Sequence, residues 1–190
     1  MSLVARCFGG SDLANDYHDH EWGRPIHDDN MLFEMLTLEA AQAGLSWNTI
    51  LNKRENYRKT FSGFDPKKVA LFDDAKVEVL MQDKGIVRNR LKITSTINNA
   101  KVFLAIADEF GTFDNFIWSY VNNTPIVGHW ESFANMPAKT ELSDRISKDL
   151  KKRGFRFVGS TIVYSFLQAA GLVNDHLISC HTYAEMMSVK

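Results

Sequence analysis

Residues 32–57, LFEMLTLEAAQAGLSWNTILNKRENY, set a carboxylate in the middle of an apolar helical stripe. At about 3.6 residues per turn, Leu32, Met35, Leu36, Glu39 and Ala43 share one face, while Glu34 and Gln42 lie away from it. The pattern calls for a helix whose buried side carries Glu39. A carboxylate in that position is costly unless hydrogen-bond donors or a positive charge meet it. Two arrangements satisfy it: saturation by backbone N–H groups or a nearby arginine, or a pocket that selects a cationic, donor-rich ligand. The residues just beyond the stripe favour the pocket. Gly44 ends or kinks the helix, and Leu45-Ser46-Trp47 brings an indole within about two turns of Glu39. A carboxylate beside an indole pairs with and stacks on a flat cationic ring, although Trp47 as a core aromatic is the alternative.

Helical patterns dominate the rest of the chain. Helices are expected over 28–44 and 47–61, from Asp65-Pro66 with proline in the first turn, and over 74–82, 89–110 and 112–121. Segment 140–153 is amphipathic and 161–172 is apolar nearly all round, the mark of a central buried helix. Residues 122–138, with Pro125, Gly128 and Pro137, read as the longest irregular loop. No segment shows strand alternation, so the expected class is all-α. With 190 residues, 45% of them hydrophobic, the chain can build one core as a single domain over 1–190, or two helical lobes around a cleft. No apolar run reaches the ~18 residues of a membrane span, and MSLVARCFGG lacks a signal-peptide core, so a cytoplasmic protein is expected.

The net charge of −1 argues against coating nucleic acid by bulk charge, but the charge is unevenly placed. Lys84, Arg88, Arg90, Lys92 and Lys101 form one basic segment, and Lys148, Lys151, Lys152, Arg153 and Arg156 form another around Asp149. Each lies beside a glycine turn. The second, LKKRGFRFVGST, joins two helices, and such a turn presents backbone N–H groups to an anion while the neighbouring cations add charge. That suits a DNA phosphate without reading sequence.

The two cysteines, Cys7 and Cys180, make no disulfide framework, but with His18 and His176 they form a two-Cys, two-His set that suits tetrahedral zinc. The i, i+4 spacing of His176 and Cys180 would let one helical face direct both at an ion, and His181 is a substitute ligand. All four positions would be protein ligands, so the metal would be structural, tying the two ends of the chain together. If His18 faces a metal, Tyr17 is carried toward the neighbouring cleft. No nucleophilic triad and no nucleotide phosphate loop is present.

The stretches YHDHEWGRPIHDDNMLFEMLTLEAAQAGLSWNTILNKRENYRKTF, GIVRNRLKI and SKDLKKRGFRFVGSTIVYSFLQAAGLVNDH closely resemble the 3-methyladenine DNA glycosylase I family, the Tag type, over nearly the whole chain. The resemblance implies a helix-hairpin-helix fold, a structural zinc, and excision of N3-methyladenine from alkylated double-stranded DNA by a monomeric enzyme that releases the free base. By position, Glu39 and Tyr17 would be the catalytic pair and, with Trp47, the base pocket. Cys7, His18, His176 and Cys180 would hold zinc. The hairpin over 153–159, with Lys152, Arg153, Gly154, Phe155, Arg156, Gly159 and Ser160, would grip DNA. The chain departs from the family locally: Cys7 and His18 are closer together, and Phe8-Gly9-Gly10 stands in place of a Cys-x-Trp pattern, which removes the expectation of an aromatic pocket wall from this segment. Asp175 follows Asn174 in the family's own pattern and is given no catalytic role.

Overall fold

Short polar residues start most helices of the chain by accepting a hydrogen bond from a first-turn N–H. In the computed structural model, which describes residues 5–187, Ser11 caps α1 (Asp12–His20), Asp28 caps α2 (Asp29–Gln42) and Ser46 caps α3 (Trp47–Thr60). After a 3-10 turn at Ser62–Phe64, Asp65 caps the single turn α4 (Pro66–Val69) and Asp73 caps α5 (Asp74–Gln82). Asn89 starts the long α6 (Arg90–Phe110), and Thr112 starts α7 (Phe113–Ser119). A reciprocal box between Thr140 and Ser143 opens α8 (Glu141–Arg153), and α9 (Ser160–Ala169) and α10 (His181–Met187) complete the set.

The expected all-α class stands with one addition. Within the 122–138 loop, β1 (Ile126–Val127) pairs in parallel with β2 (Val173–Asn174), with Ile126 opposite Val173. The pair pins the loop to the segment that follows α9. Two further helices, α1 and α10, were not expected from periodicity. His176 and Cys180 do not lie on a helical face; they belong to the turn between β2 and α10.

Helix α2 is the centre of the molecule, packed by α3, α6, α7 and α9. It is buried on every side, from Leu32 to Ala41. Glu34, expected away from the apolar face, is therefore also buried, and it is met by Arg54 Nε at 2.6 Å and Arg58 Nε at 3.0 Å from α3. Behind α2, Phe33 meets Phe103 edge-on and Phe103 stacks on Phe113 with ring centroids 4.1 Å apart, forming an aromatic core. Gly171, at φ +75°, lets the end of α9 run against Arg24 and Pro25, where a Cβ would meet the Arg24 carbonyl carbon at 2.4 Å.

Candidate active site and metal centre

The ends of α1 and α2, the start of α3 and one face of α9 enclose a cavity of about 340 Å³ lined by Phe8, Tyr17, Trp22, Glu39, Trp47 and Gln168. Glu39 reaches it from α2, is only 6% exposed, and makes no hydrogen bond to any described residue. The buried cation of this region is already engaged: Arg54 bonds Glu34 at 2.6 Å and Glu21 at 2.8 Å. Burial without a countercharge pushes the Glu39 carboxyl up to about 8. Of the two arrangements open from sequence, saturation by protein donors is thus not the one adopted.

Tyr17 and Trp47 stand beside it with ring centroids 5.3 Å apart and planes 46° apart. Burial, reinforced by the Glu39 carboxylate, holds the Tyr17 hydroxyl well above its ordinary range, so it is a neutral donor. Its oxygen and Trp47 Nε1 are buried and have no hydrogen-bond partner among the described residues. Unpaired polar atoms at the wall of an aromatic cavity are costly by themselves and suit a flat ligand bearing its own donors and acceptors. A second cavity of about 170 Å³ adjoins the first beyond Glu39, Gln42 and Ser165, which line both. Glu39 therefore stands where the two meet. The segment does contribute an aromatic wall, contrary to the expectation from its departure: Phe8 lines the pocket, edge-on to Trp22 at 5.0 Å and to His18 at 4.9 Å.

The structure brings Cys7, His18, His176 and Cys180 together, with all four ligand atoms within 4.8 Å of one another. Tetrahedral zinc, with Zn–S about 2.3 Å and Zn–N about 2.0 Å, holds neighbouring sulfur and nitrogen donors about 3.5 Å apart. Here Cys7 Sγ lies 3.4 Å from His176 Nδ1, and Cys180 Sγ lies 3.4 Å from His18 Nε2 and 3.6 Å from His176 Nδ1. The far ring nitrogens are fixed as metal-binding histidines require: His18 Nδ1 donates to Asp19 at 2.8 Å and His176 Nε2 to the Trp22 carbonyl at 3.1 Å. Burial lowers His176 to about 4, leaving the neutral imidazole that binds metals. Gly23 is needed here, since a Cβ would meet His176 Nε2 at 2.8 Å. The donor set fits a metal. His181 instead accompanies Asp19 at 3.4 Å on the rim of the cluster.

The α8–α9 hairpin turns on Gly154, in the left-handed region at φ +102°, and on Phe157 at φ +53°. Asn99 of α6 braces it, its amide donating to the Arg156 carbonyl and its oxygen accepting from the Arg156 N–H, both at 2.8 Å. Asn98 holds the Gly154 carbonyl and Ser147 the Val158 carbonyl. Gly159 leaves the start of α9 without a side-chain cap, so no side chain of its N-cap satisfies its first N–H groups. Lys152, Gly154 and Arg156 are exposed, but Phe155 is buried near Phe113, so it offers only its backbone. Arg153 is paired with Glu109 at 2.6 Å and lies over Phe116 at 5.1 Å. In the first basic segment, Lys92 is turned inward onto the carbonyls of Ala41 and Ala43, which closes α2 just ahead of Trp47, and Arg90 pairs with Glu78. Lys84, Arg88 and Lys101 stay exposed.

Sequence reasoning gave no role to four contributors. Gln168, Phe8 and Trp22 line the pocket, and Asp175, 1% exposed, accepts hydrogen bonds from Trp130 Nε1 at 2.6 Å, Gln168 Nε2 at 2.9 Å and the Tyr164 hydroxyl. An aspartate next to a candidate metal ligand was the available signal for the last.

Comparison with known proteins agrees with this geometry. The family model for methyladenine glycosylase matches residues 7–183. DNA-3-methyladenine glycosylase 1 of Escherichia coli is 53% identical over 88% of this chain and 89% of its own. A crystal structure of 3-methyladenine DNA glycosylase I superposes with a TM-score of 0.91 at 48% identity, over 94% of this chain and all of that one. A single-residue variant of such an enzyme, crystallised with 3-methyladenine, gives 0.90 at 39% identity over 92% and 94% of the two chains. The chain belongs to the methyladenine glycosylase family.

Proposed function

We propose that this chain is a monofunctional DNA glycosylase that hydrolyses the N-glycosidic bond of N3-methyladenine in alkylated double-stranded DNA, releasing 3-methyladenine and leaving an abasic site. The observation that carries the reading is Glu39: a buried carboxylate without a countercharge, lining one cavity with an aromatic pair whose polar atoms are unpaired. N3-methylation gives adenine a positive charge and makes it a neutral leaving group. The weakly paired base leaves the stack at reduced cost and enters the pocket. Glu39 accepts from its donors while Trp47 stacks on the ring, and Tyr17 offers its proton to a ring acceptor.

As the bond from base to sugar breaks, its electron pair goes to the base and positive charge passes to the sugar. Water then adds its oxygen to the anomeric carbon and loses a proton to solvent. A carboxylate that faced only the base would stabilise the ground state as much as the transition state. Its place at the junction of the two cavities supports a part in both base binding and the developing sugar cation.

The remaining roles follow the same reading. Cys7, His18, His176 and Cys180 hold a structural zinc, whose four protein ligands leave no position for an activated water. The hairpin grips phosphates through the N–H groups around Gly159 and Ser160 with Lys152 and Arg156 beside them, while Arg153 and Phe155 set its shape. The chain acts as a single domain and a monomer in the cytoplasm; no helix among the described residues is long and apolar enough to cross a membrane.

Chromatography of bases released from dimethyl-sulfate-treated DNA tests the activity. Wild type should release 3-methyladenine with little 7-methylguanine, and Glu39→Ala should release at least about tenfold less at sub-saturating enzyme, the cost of losing a buried charged partner. Absence of release by folded, zinc-loaded wild type would replace the reading with a non-catalytic reader of damaged DNA.

A further inference from the structure

Most polar groups lining the pocket can change hydrogen-bond polarity. The Tyr17 and Ser165 hydroxyls rotate. Glu39, with its carboxyl raised to about 8, can take up a proton and become a donor. The side-chain amides of Gln42 and Asn48 are held by no described partner and can turn over. Gln168 differs: its Nε2 donates to Asp175 Oδ2 at 2.9 Å and to Met136 Sδ at 3.1 Å, which engages both amide hydrogens. Turning the amide over would set its carbonyl oxygen against the Asp175 carboxylate. Asp175 is locked in turn, because Trp130 Nε1 can only donate to its other oxygen, at 2.6 Å. Gln168 Oε1 accepts from no described residue, and the side chain lines the cavity beside Glu39 and Tyr17. It is a fixed acceptor.

We propose that Gln168, its amide polarity imposed by Asp175, is the specificity-determining residue that admits a purine with an exocyclic 6-amino donor and rejects a 6-oxopurine. The inference rests on the glycosylase reading and deepens it. A 6-amino group meets Gln168 Oε1 with a hydrogen; the 6-oxo group of a methylated guanine meets it lone pair to lone pair. Glu39 cannot make this distinction alone, since its protonated form would donate to a 6-oxo group. Gln168 cannot respond so, because its N–H groups are committed. Discrimination thus comes from a repulsion built against the wrong base as well as an attraction for the right one. Asp175 touches no ligand and is a positioning residue.

Calorimetric titration of the zinc-loaded full chain with free 3-methyladenine and free 3-methylguanine tests this. Wild type should favour 3-methyladenine by at least about tenfold, the value of one buried complementary hydrogen bond. Gln168→Met, similar in shape but without the acceptor, should narrow that ratio to within about threefold. Asp175→Asn is more telling. Trp130 Nε1 can only donate, whereas the Tyr164 hydroxyl on the other side can rotate to accept, so the amide oxygen stays with Trp130 and the amide nitrogen faces Tyr164 and Gln168, which then turns over and presents N–H to the pocket. Affinity for 3-methylguanine should therefore rise, which mere structural damage would not produce. Zinc content and melting temperature accompany both variants, and if Asp175→Asn fails to fold, Gln168→Met decides. An unchanged preference in Gln168→Met, or equal loss of both bases, overturns the proposal while leaving the glycosylase reading intact. Wild type that binds neither base overturns both.

Discussion

Glu39 and Glu34 lie five residues apart on one buried helix and meet opposite fates. Glu34 takes Arg54 and Arg58, and Glu21 takes what remains of Arg54, so no cation is left for Glu39. The helix thus carries one carboxylate that holds the fold together and one held ready for a ligand. Readiness costs stability, and pH exposes the cost. The Glu39 carboxyl is raised by burial from 4.5 to about 8. Between those values the folded chain holds a proton that the unfolded chain has released, so stability falls as pH rises through this window and levels off above about 8. Glu39→Gln removes the ionisation. We expect it to stabilise by less than about 1 kcal/mol at pH 5 and by about 4 kcal/mol at pH 8, a rise of roughly 8–16 °C in melting temperature at the higher pH. Differential scanning calorimetry at the two pH values checks this; an equal shift at both would mean that burial does not set the Glu39 carboxyl.

At the scale of elements, the hairpin shows what a motif leaves unsaid. Its glycines and cations are legible in the chain, but the conformation of the turn is held from outside, by Asn98 and Asn99 of α6. Asn99→Ala leaves the Arg156 N–H and carbonyl without their partner. We expect a loss of about 1–3 kcal/mol in stability and about tenfold weaker binding to undamaged duplex DNA, with affinity for free 3-methyladenine unchanged. Unaltered DNA binding by fluorescence anisotropy would remove the hairpin from the DNA interface. The long helices were legible because a buried stripe recurs along them, as in 89–110 and 140–153. Helix α1 was not, because its nine residues DLANDYHDH bury only Ala14, Tyr17 and His18, too few to make a stripe. Each strand is two residues long, below the length at which alternation exists. Of the pocket, Glu39, Tyr17 and Trp47 could be named from sequence, whereas Phe8 near the start of the chain, Trp22 after α1 and Gln168 on α9 reach it only through tertiary packing. The Cys and His cluster was legible as a set of residue types, but its local geometry was not: His176 and Cys180 meet in a turn in place of a helical face.

The meeting of the two ends of the chain is the largest-scale feature of the molecule. Cys7 and His18 come from its start, His176 and Cys180 from its end, and the backbone continues the join where His181 N–H donates to the Ala5 carbonyl at 3.0 Å and Leu177 N–H to Cys7 Sγ at 3.2 Å. A bound zinc would close a loop of nearly the entire chain, and its binding free energy would become folding free energy. The closure also shapes the pocket. Phe8 and Tyr17 are each bonded to a member of the cluster, and Trp22, which gives its carbonyl to His176, lines the same wall. Removing zinc should thus act on stability and on base binding together. We expect dialysis against a chelator to lower the melting temperature by about 5–10 °C or more, given the size of structural zinc affinities, and to weaken 3-methyladenine binding at a temperature where the chain is still folded. Returning zinc should restore both. His18→Ala should reproduce the chelated state and be insensitive to added zinc. If stoichiometric zinc is absent from gently purified protein, or if its removal leaves melting temperature and base affinity unchanged, then the four side chains close the chain through their own packing and not through a metal.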